Sequence, residues 1–156
     1  MGDHTEAIQL DFDPSVISFE KLCHAVWAAH NPCARKFSRQ YDSILFYAND
    51  EQKKTVAATY ERVEQERGKV TTRVEKLDKF YHAEDYHQKY YLRGNKELFS
   101  ELRKFYATEE DFMHSPAAAR LNSYLSGSAK REQIEKDLGK LGLSDEARKK
   151  VLVCAR

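Results

Sequence analysis

The chain has 156 residues, 41% hydrophobic and 33% charged, and 26 basic against 25 acidic side chains leave a net charge of +1. This is a soluble globular composition with a very polar surface, and its charge balance excludes a bulk electrostatic attraction to nucleic acid or a membrane surface. No window approaches the roughly 20 apolar residues of a membrane span, and the opening Met-Gly-Asp-His-Thr-Glu has neither the basic nor the apolar region of a secretory signal. Three widely spaced cysteines, Cys23, Cys33 and Cys154, do not form a disulfide framework and point to a reducing, cytoplasmic compartment.

Taken in order, Thr5 to Phe12 alternates apolar Ile8, Leu10 and Phe12 with polar residues, which predicts a half-buried strand ended by Asp13-Pro14. Ser18 is a candidate N-cap for a helix carrying Phe19, Leu22, Cys23, Val26 and Trp27 and stopping near His30, before Asn31-Pro32. Cys33 to Arg39 is a basic connector. Ser43 to Tyr47 is a short apolar run of strand type. A helix capped by Asn49 or Asp50 should run to about Arg67, with Val56, Ala57, Tyr60 and Val63 on one face and Gly68 just past its end. Val70 to Val74 reads as a third strand. Past residue 95 the character becomes helical. Segments are expected over 96–106, from Pro116 to Leu125 with Pro at the first helical position, over 131–141, and from Asp145 to about Val153.

Between these halves lies Phe80 to Leu92, which packs five aromatics, two histidines and two carboxylates into one short run. It is either a surface loop whose rings cap the core or the wall of a half-buried pocket, because Tyr and His combine an apolar body with a polar tip. The run Phe80-Tyr81-His82-Ala83-Glu84-Asp85-Tyr86-His87-Gln88-Lys89-Tyr90 resembles the late signature of the class A peptide methionine sulfoxide reductases. Earlier stretches resemble the same family in the right order. They are Gly2 to Ala7, Phe12 to Glu20, Trp27-Ala28-Ala29-His30-Asn31-Pro32, and Gln40-Tyr41-Asp42-Ser43 with Gln52 beyond. The match covers residues 2 to about 92. The family's Gly-Cys-Phe-Trp stretch, which carries its nucleophile, is not found in this sequence, and Asp42 stands where the family has Arg.

The resemblance implies thiol-dependent reduction of the S-epimer of methionine sulfoxide, in repair of oxidised proteins under oxidative stress. A thiolate attacks sulfur, an acid protonates the leaving oxygen, and a pocket holds the methyl group. By this resemblance Glu6 is the acid, Tyr41 hydrogen-bonds the same oxygen, and His87 and Tyr90 form the pocket wall. A Glu at the start of a buried strand would be held protonated by desolvation; read from the residues alone, Glu6 is a solvated strand-face carboxylate. Cys23 reads as a core residue and Cys154 as a tail cysteine. Cys33 is the remaining candidate for a reactive thiol, with Arg35, Lys36 and Arg39 beside it to favour the thiolate. His4, Glu6, His82, Asp85 and His87 include zinc-ligand types, but their spacing matches no helical zinc pair and no metal is expected.

The expected fold is α+β, a two-layer mixed sheet with helices packed on it (residues 1–95) followed by a small all-α extension (residues 96–156). The resemblance implies a further strand in the middle of that sheet, between two that this chain retains. The expected partners are oxidised methionine in a protein or peptide and, if the chain is active, a thiol reductant such as thioredoxin or dithiothreitol, with no bound cofactor. Lacking the nucleophile stretch, the chain is expected to be inactive alone. The alternatives are a non-catalytic methionine-binding module or a truncated reading frame begun at an internal Met.

Overall fold

A computed structural model describes residues 5–34, 38 and 40–154. The chain divides into two compact units, Met1–Phe80 and Tyr81–Arg156. The α+β class holds, and the sheet within it, among the described residues, is two parallel strands. None of the helices is long and apolar enough to cross a membrane, among the described residues.

The first unit is built on α1 (Phe19–Ala29), β1 (Ile44–Tyr47), α2 (Asp50–Arg67) and β2 (Arg73–Lys76). Ser18 caps α1 as its sequence implies, its side chain accepting from the Lys21 N–H. Asn49 caps α2 by accepting from the Gln52 N–H at 2.9 Å, and the Gln52 side chain accepts in return from Ala48 N–H at 2.7 Å. Gly68, at φ +86°, ends α2 in a conformation that costs glycine little. The parallel pair β1–β2 needs a crossover, and α2 supplies it. Trp27 is the anchor between the two helices. It is 1% exposed, its indole N–H donates to the Thr59 hydroxyl at 3.1 Å, and its ring meets Tyr60 edge-on. Cys23, Val56, Val63 and Val70 complete the buried cluster.

Two strand expectations are corrected here. Residues 5–12 are not a strand, and Ile8 and Leu10 are 85% and 61% exposed. Alternation predicts a strand only where a neighbour pairs with it, and this segment joins no ladder. The third expected strand begins at Arg73 rather than Val70. The Thr71 and Thr72 N–H groups both donate to the Pro32 carbonyl, at 2.8 and 3.2 Å, so the ladder starts only with Arg73 N–H to Ser43 O at 2.9 Å. In addition, β1 and β2 are direct hydrogen-bonded neighbours, with no strand between them.

The second unit is helical: a 3-10 turn (Asp85–His87), α3 (Tyr90–Gly94), α4 (Lys96–Arg103), α5 (Glu109–Met113), α6 (Pro116–Leu125), α7 (Arg131–Leu138) and α8 (Asp145–Cys154). Among the described residues its core cluster is larger than that of the first unit, thirteen buried residues that include Leu92, Leu98, Leu102, Phe112, Leu121 and Ile134. Ser115 caps α6 ahead of Pro116, as its sequence predicts. Helix α5 has no counterpart in the sequence reading. It is one short turn held by a reciprocal cap between Thr108 and Asp111.

A buried polar group links α6 to α7. The Tyr124 hydroxyl donates to Asp137 at 2.9 Å, and the Gln133 side-chain amide donates to the same oxygen at 2.7 Å. Those bonds, Gln133 first, hold the Asp137 carboxyl below its ordinary range. Burial, then the bond to Asp137, pushes the Tyr124 phenol up to about 12. A lowered carboxyl stabilises the fold above its unfolded value and loses that contribution as pH falls through its folded value. A raised phenol stabilises the fold below its unfolded value and loses that contribution as pH rises toward about 12. The urea midpoint of the helical signal is therefore expected to be flat between about pH 5 and 10 and to fall on both sides. Asp137→Asn should lower the plateau and flatten the acid limb, and Tyr124→Phe the alkaline limb. Limbs of unchanged slope in both variants would remove this pair as their source.

Candidate functional site

The residues singled out in the sequence fall in both units. In the first, the extended segment that carries Glu6 is tied to the turn that carries Tyr41. The Glu6 N–H donates to the Gln40 carbonyl at 3.0 Å, and the Gln40 side-chain amide donates back to the Glu6 carboxylate at 2.9 Å. These two bonds fix Glu6 against Gln40, the residue before Tyr41. The Tyr41 N–H donates to Ser38 O at 3.2 Å, which closes the turn three residues ahead of β1. The Tyr41 ring is 59% exposed and Glu6 is exposed too, so the burial expected of Glu6 is not present in the free chain.

Asp42, beside Tyr41, meets a guanidinium from β2. Arg73, at the start of β2, donates to the Asp42 carboxylate at 3.0 Å and also pairs with Glu75. Its bond to Asp42 is the leading cause that raises the Arg73 guanidinium above its ordinary value. The sequence reading did not find Arg73. The signal available was the Asp42 departure itself, since a lone acid beside a Tyr-bearing turn calls for a basic partner.

The Trp27 to Pro32 stretch does structural work. His30 donates through Nδ1 to Val26 O at 2.7 Å when its Nε2 accepts from the Thr72 hydroxyl at 2.8 Å, which joins the end of α1 to the approach to β2. Cys33 follows on a turn. Its N–H donates to the Asn31 side chain at 3.1 Å, and its half-buried thiol donates to Arg67 O at 3.5 Å, with Gly68 O at 4.0 Å. Arg35, Lys36 and Arg39, invoked to activate it, lie outside the described residues. Cys23 is buried in the core, and burial pushes its thiol up; Cys154 is exposed on α8.

His87 and Tyr90 belong to the second unit. His87 ends the 3-10 turn, packs against the Tyr86 ring at a 43° tilt with centroids 4.2 Å apart, and has Nε2 3.8 Å from the Glu84 carboxylate. Tyr90 opens α3, is 67% exposed, and meets Tyr91 edge-on at 5.7 Å. Between them Lys89 adopts φ +52°, a left-handed conformation that costs a non-glycine residue free energy and turns the chain from the 3-10 turn into α3. Burial holds the Lys89 ammonium below its ordinary value. The structure thus joins Glu6 to the turn of Tyr41 in one unit and sets His87 three residues from Tyr90 in the other. Among the described residues no group of three or more His, Cys, Asp or Glu side chains is arranged to hold a metal, and His4 lies outside them.

Comparison with known proteins agrees with this arrangement of motifs. Residues 1–121 match the family model described as peptide methionine sulfoxide reductase. A peptide methionine sulfoxide reductase of Drosophila melanogaster is 39% identical over 152 residues, 95% of this chain and 60% of the relative. A peptide methionine sulfoxide reductase MsrA of Methanosarcina acetivorans is 35% identical over 96 residues, 56% of this chain and 51% of the relative. A peptide methionine sulfoxide reductase A5 of Oryza sativa is 30% identical over 131 residues, 80% and 51% respectively. The chain spans about half to three-fifths of the length of these relatives. With more than half of its residues covered by the family model, from the Glu6 segment through the Tyr90 helix and beyond, the chain belongs to the peptide methionine sulfoxide reductase family.

Proposed function

We propose that this chain supplies the sulfoxide-binding and proton-donating part of a peptide methionine sulfoxide reductase. Glu6 protonates the sulfoxide oxygen and the Tyr41 hydroxyl donates a hydrogen bond to it. The observation that supports this reading most is the pair of bonds from Glu6 to Gln40, which fixes the candidate acid beside the turn of the candidate donor. Glu6 is exposed, so a bound peptide covering it is what would let it carry a proton. In the reaction a thiolate attacks the sulfur, the thioether leaves, and the oxygen passes to the attacking sulfur as a sulfenic acid. A dithiol such as dithiothreitol, or thioredoxin, then reduces the sulfenic acid to thiol and water. In this reading the reaction repairs oxidised methionine in cytoplasmic proteins.

None of the three cysteines stands on a strand as the family nucleophile does. Cys23 is buried, Cys33 is engaged with two carbonyl oxygens, and Cys154 ends α8. Residues 1–156 with dithiothreitol and a methionine sulfoxide peptide are therefore expected to give no turnover. Turnover that disappears in Cys33→Ser would make Cys33 the nucleophile. The same polypeptide is expected to bind the sulfoxide peptide about tenfold more tightly than its thioether counterpart, the worth of a hydrogen bond or two to the oxygen. Glu6→Gln and Tyr41→Phe should each reduce that preference. Equal affinities, unchanged by either substitution, would take both residues out of the site and leave the reading of a plain methionine-binding module.

A further inference from the structure

The second unit holds an open cavity of about 510 Å³ that the reductase reading does not use. Its walls come from α5, α6 and the turn after α7. Lys140 and Leu141 in its lining lie beyond residue 121, where the family match ends. The lining includes the half-buried Tyr106 and the edge of the buried Leu141, and two exposed cations, Arg120 and Lys140.

The lining carries two cations, Arg120 and Lys140, against one carboxylate, Asp111. Asp111 is its one carboxylate, and that group is committed to the start of α5, where it accepts from the Thr108 N–H at 3.2 Å and hydroxyl at 2.7 Å. Asp137, behind Lys140, is already taken by Tyr124 and Gln133. The Lys140 ammonium forms a loose ion pair with it at 3.9 Å, longer than a hydrogen bond, with the lysine side chain 66% exposed, and Arg120 acts on the same carboxylate through space without a hydrogen bond. The Arg120 guanidinium makes no hydrogen bond and no ion pair among the described residues. A guanidinium offers up to five donors in a planar fork that matches a carboxylate or phosphate. Here that fork makes no hydrogen bond among the described residues, and a second cation shares its cavity.

We infer that this cavity binds a small organic anion, whose phosphate or carboxylate engages Arg120 and Lys140 while its apolar body lies against Tyr106 and Leu141. The volume favours an anion with a body, since it falls within the roughly 300–1,000 Å³ of small-molecule pockets and far exceeds what inorganic phosphate fills. Charge-assisted bonds to the fork fix orientation, and the apolar wall adds affinity in proportion to the area it covers.

The test is an amide NMR titration of residues 1–156 with phenyl phosphate, benzoate, inorganic phosphate and sodium chloride at one ionic strength. Phenyl phosphate or benzoate is expected to give saturable shifts at the amides of Tyr106, Ser115 and Leu141, with an affinity about tenfold above that of inorganic phosphate. Which of the two binds more tightly decides between a phosphate and a carboxylate ligand. Arg120→Gln and Lys140→Gln should each weaken binding about tenfold or more, and Arg131→Gln, outside the cavity, should not. Both target residues are exposed, and the spectra of the variants report directly that they remain folded. Shifts that do not saturate, that chloride reproduces, or that survive both substitutions would overturn the proposal.

Discussion

Urea unfolding followed by tryptophan fluorescence is expected to have its midpoint about 1 M or more below the main step seen by far-UV circular dichroism. The chain has one tryptophan, Trp27, and it lies in the core of the first unit, so its emission reports that unit alone. The far-UV signal is carried mostly by the second unit, where α3 to α8 lie. The two cores differ in size. Among the described residues, five buried hydrophobic side chains form the core cluster of the first unit, and Ile8 and Val16 there are 85% and 78% exposed. Among the described residues, thirteen form the buried core cluster of the second. Each large side chain removed from water contributes roughly 1.5–3 kcal/mol, so the difference is large against the about 5–15 kcal/mol that a domain has.

The sheet adds to the contrast. Parallel strands are ordinarily covered on both faces, and a two-stranded sheet is marginal without packing. Here β1 is only half-buried along its length, and β2 begins and ends on exposed residues. The dichroism trace should therefore be biphasic, with its first, smaller step coinciding with the Trp27 transition. A single step superimposable on the fluorescence would mean that the two units unfold as one, and would end the argument from separate cores.

The parts of this fold legible in the sequence are those fixed by neighbours along the chain. Helix α2 is signalled by Asn49 at its start, one apolar stripe through Val56 and Val63, and Gly68 at its end; each of these acts within a turn or two. The Ser115-Pro116 start of α6 is legible for the same reason. What failed depends on distant partners. The strand expected over 5–12 needed a neighbour in the sheet, and the start of β2 is set by the Pro32 carbonyl, which takes two N–H groups that would otherwise begin the ladder. Helix α5 was missed because five residues hold too few apolar positions to show a period. The Thr108 and Asp111 pair, spaced as a capping box, was the signal that could have found it.

At the candidate site the division is the same. Glu6, Tyr41, His87 and Tyr90 were reached through motif resemblance, which is local order along the chain. The contacts that organise them were not legible, because they join distant positions. Gln40 bonds Glu6 from 34 residues away, and Arg73 meets Asp42 from 31. Composition and periodicity carry no information about such pairs; only the odd residue in a motif, Asp42, hinted that a compensating charge existed.

Phe112→Ala is expected to cost about 3–5 kcal/mol and to move the second dichroism step to lower urea by more than about 1 M, while leaving the Trp27 step in place. Phe112 is fully buried and sits among aromatic rings. Phe99 and Tyr106 meet it edge-on, with centroids 5.4 and 5.7 Å away. Two guanidinium groups also lie over its ring, Arg93 at 5.5 Å and Arg103 at 6.0 Å, and both are ion-paired to Glu109 in α5. The ring therefore fills the centre of the core and supports the pair of cations that ties α3 and α4 to α5. Truncation opens a cavity that the rigid edge-on neighbours cannot collapse into, and it strips each cation of a contact worth about 0.5–1 kcal/mol at exposed sites and more when desolvated. Phe105→Ala is the control. Phe105 is 63% exposed, and its removal should shift the same step by no more than the about 0.5 kcal/mol usual for surface changes. Equal shifts from the two substitutions would show that Phe112 is not the centre of this core. A parallel shift of the Trp27 step would show that the stability of the second unit is felt in the first.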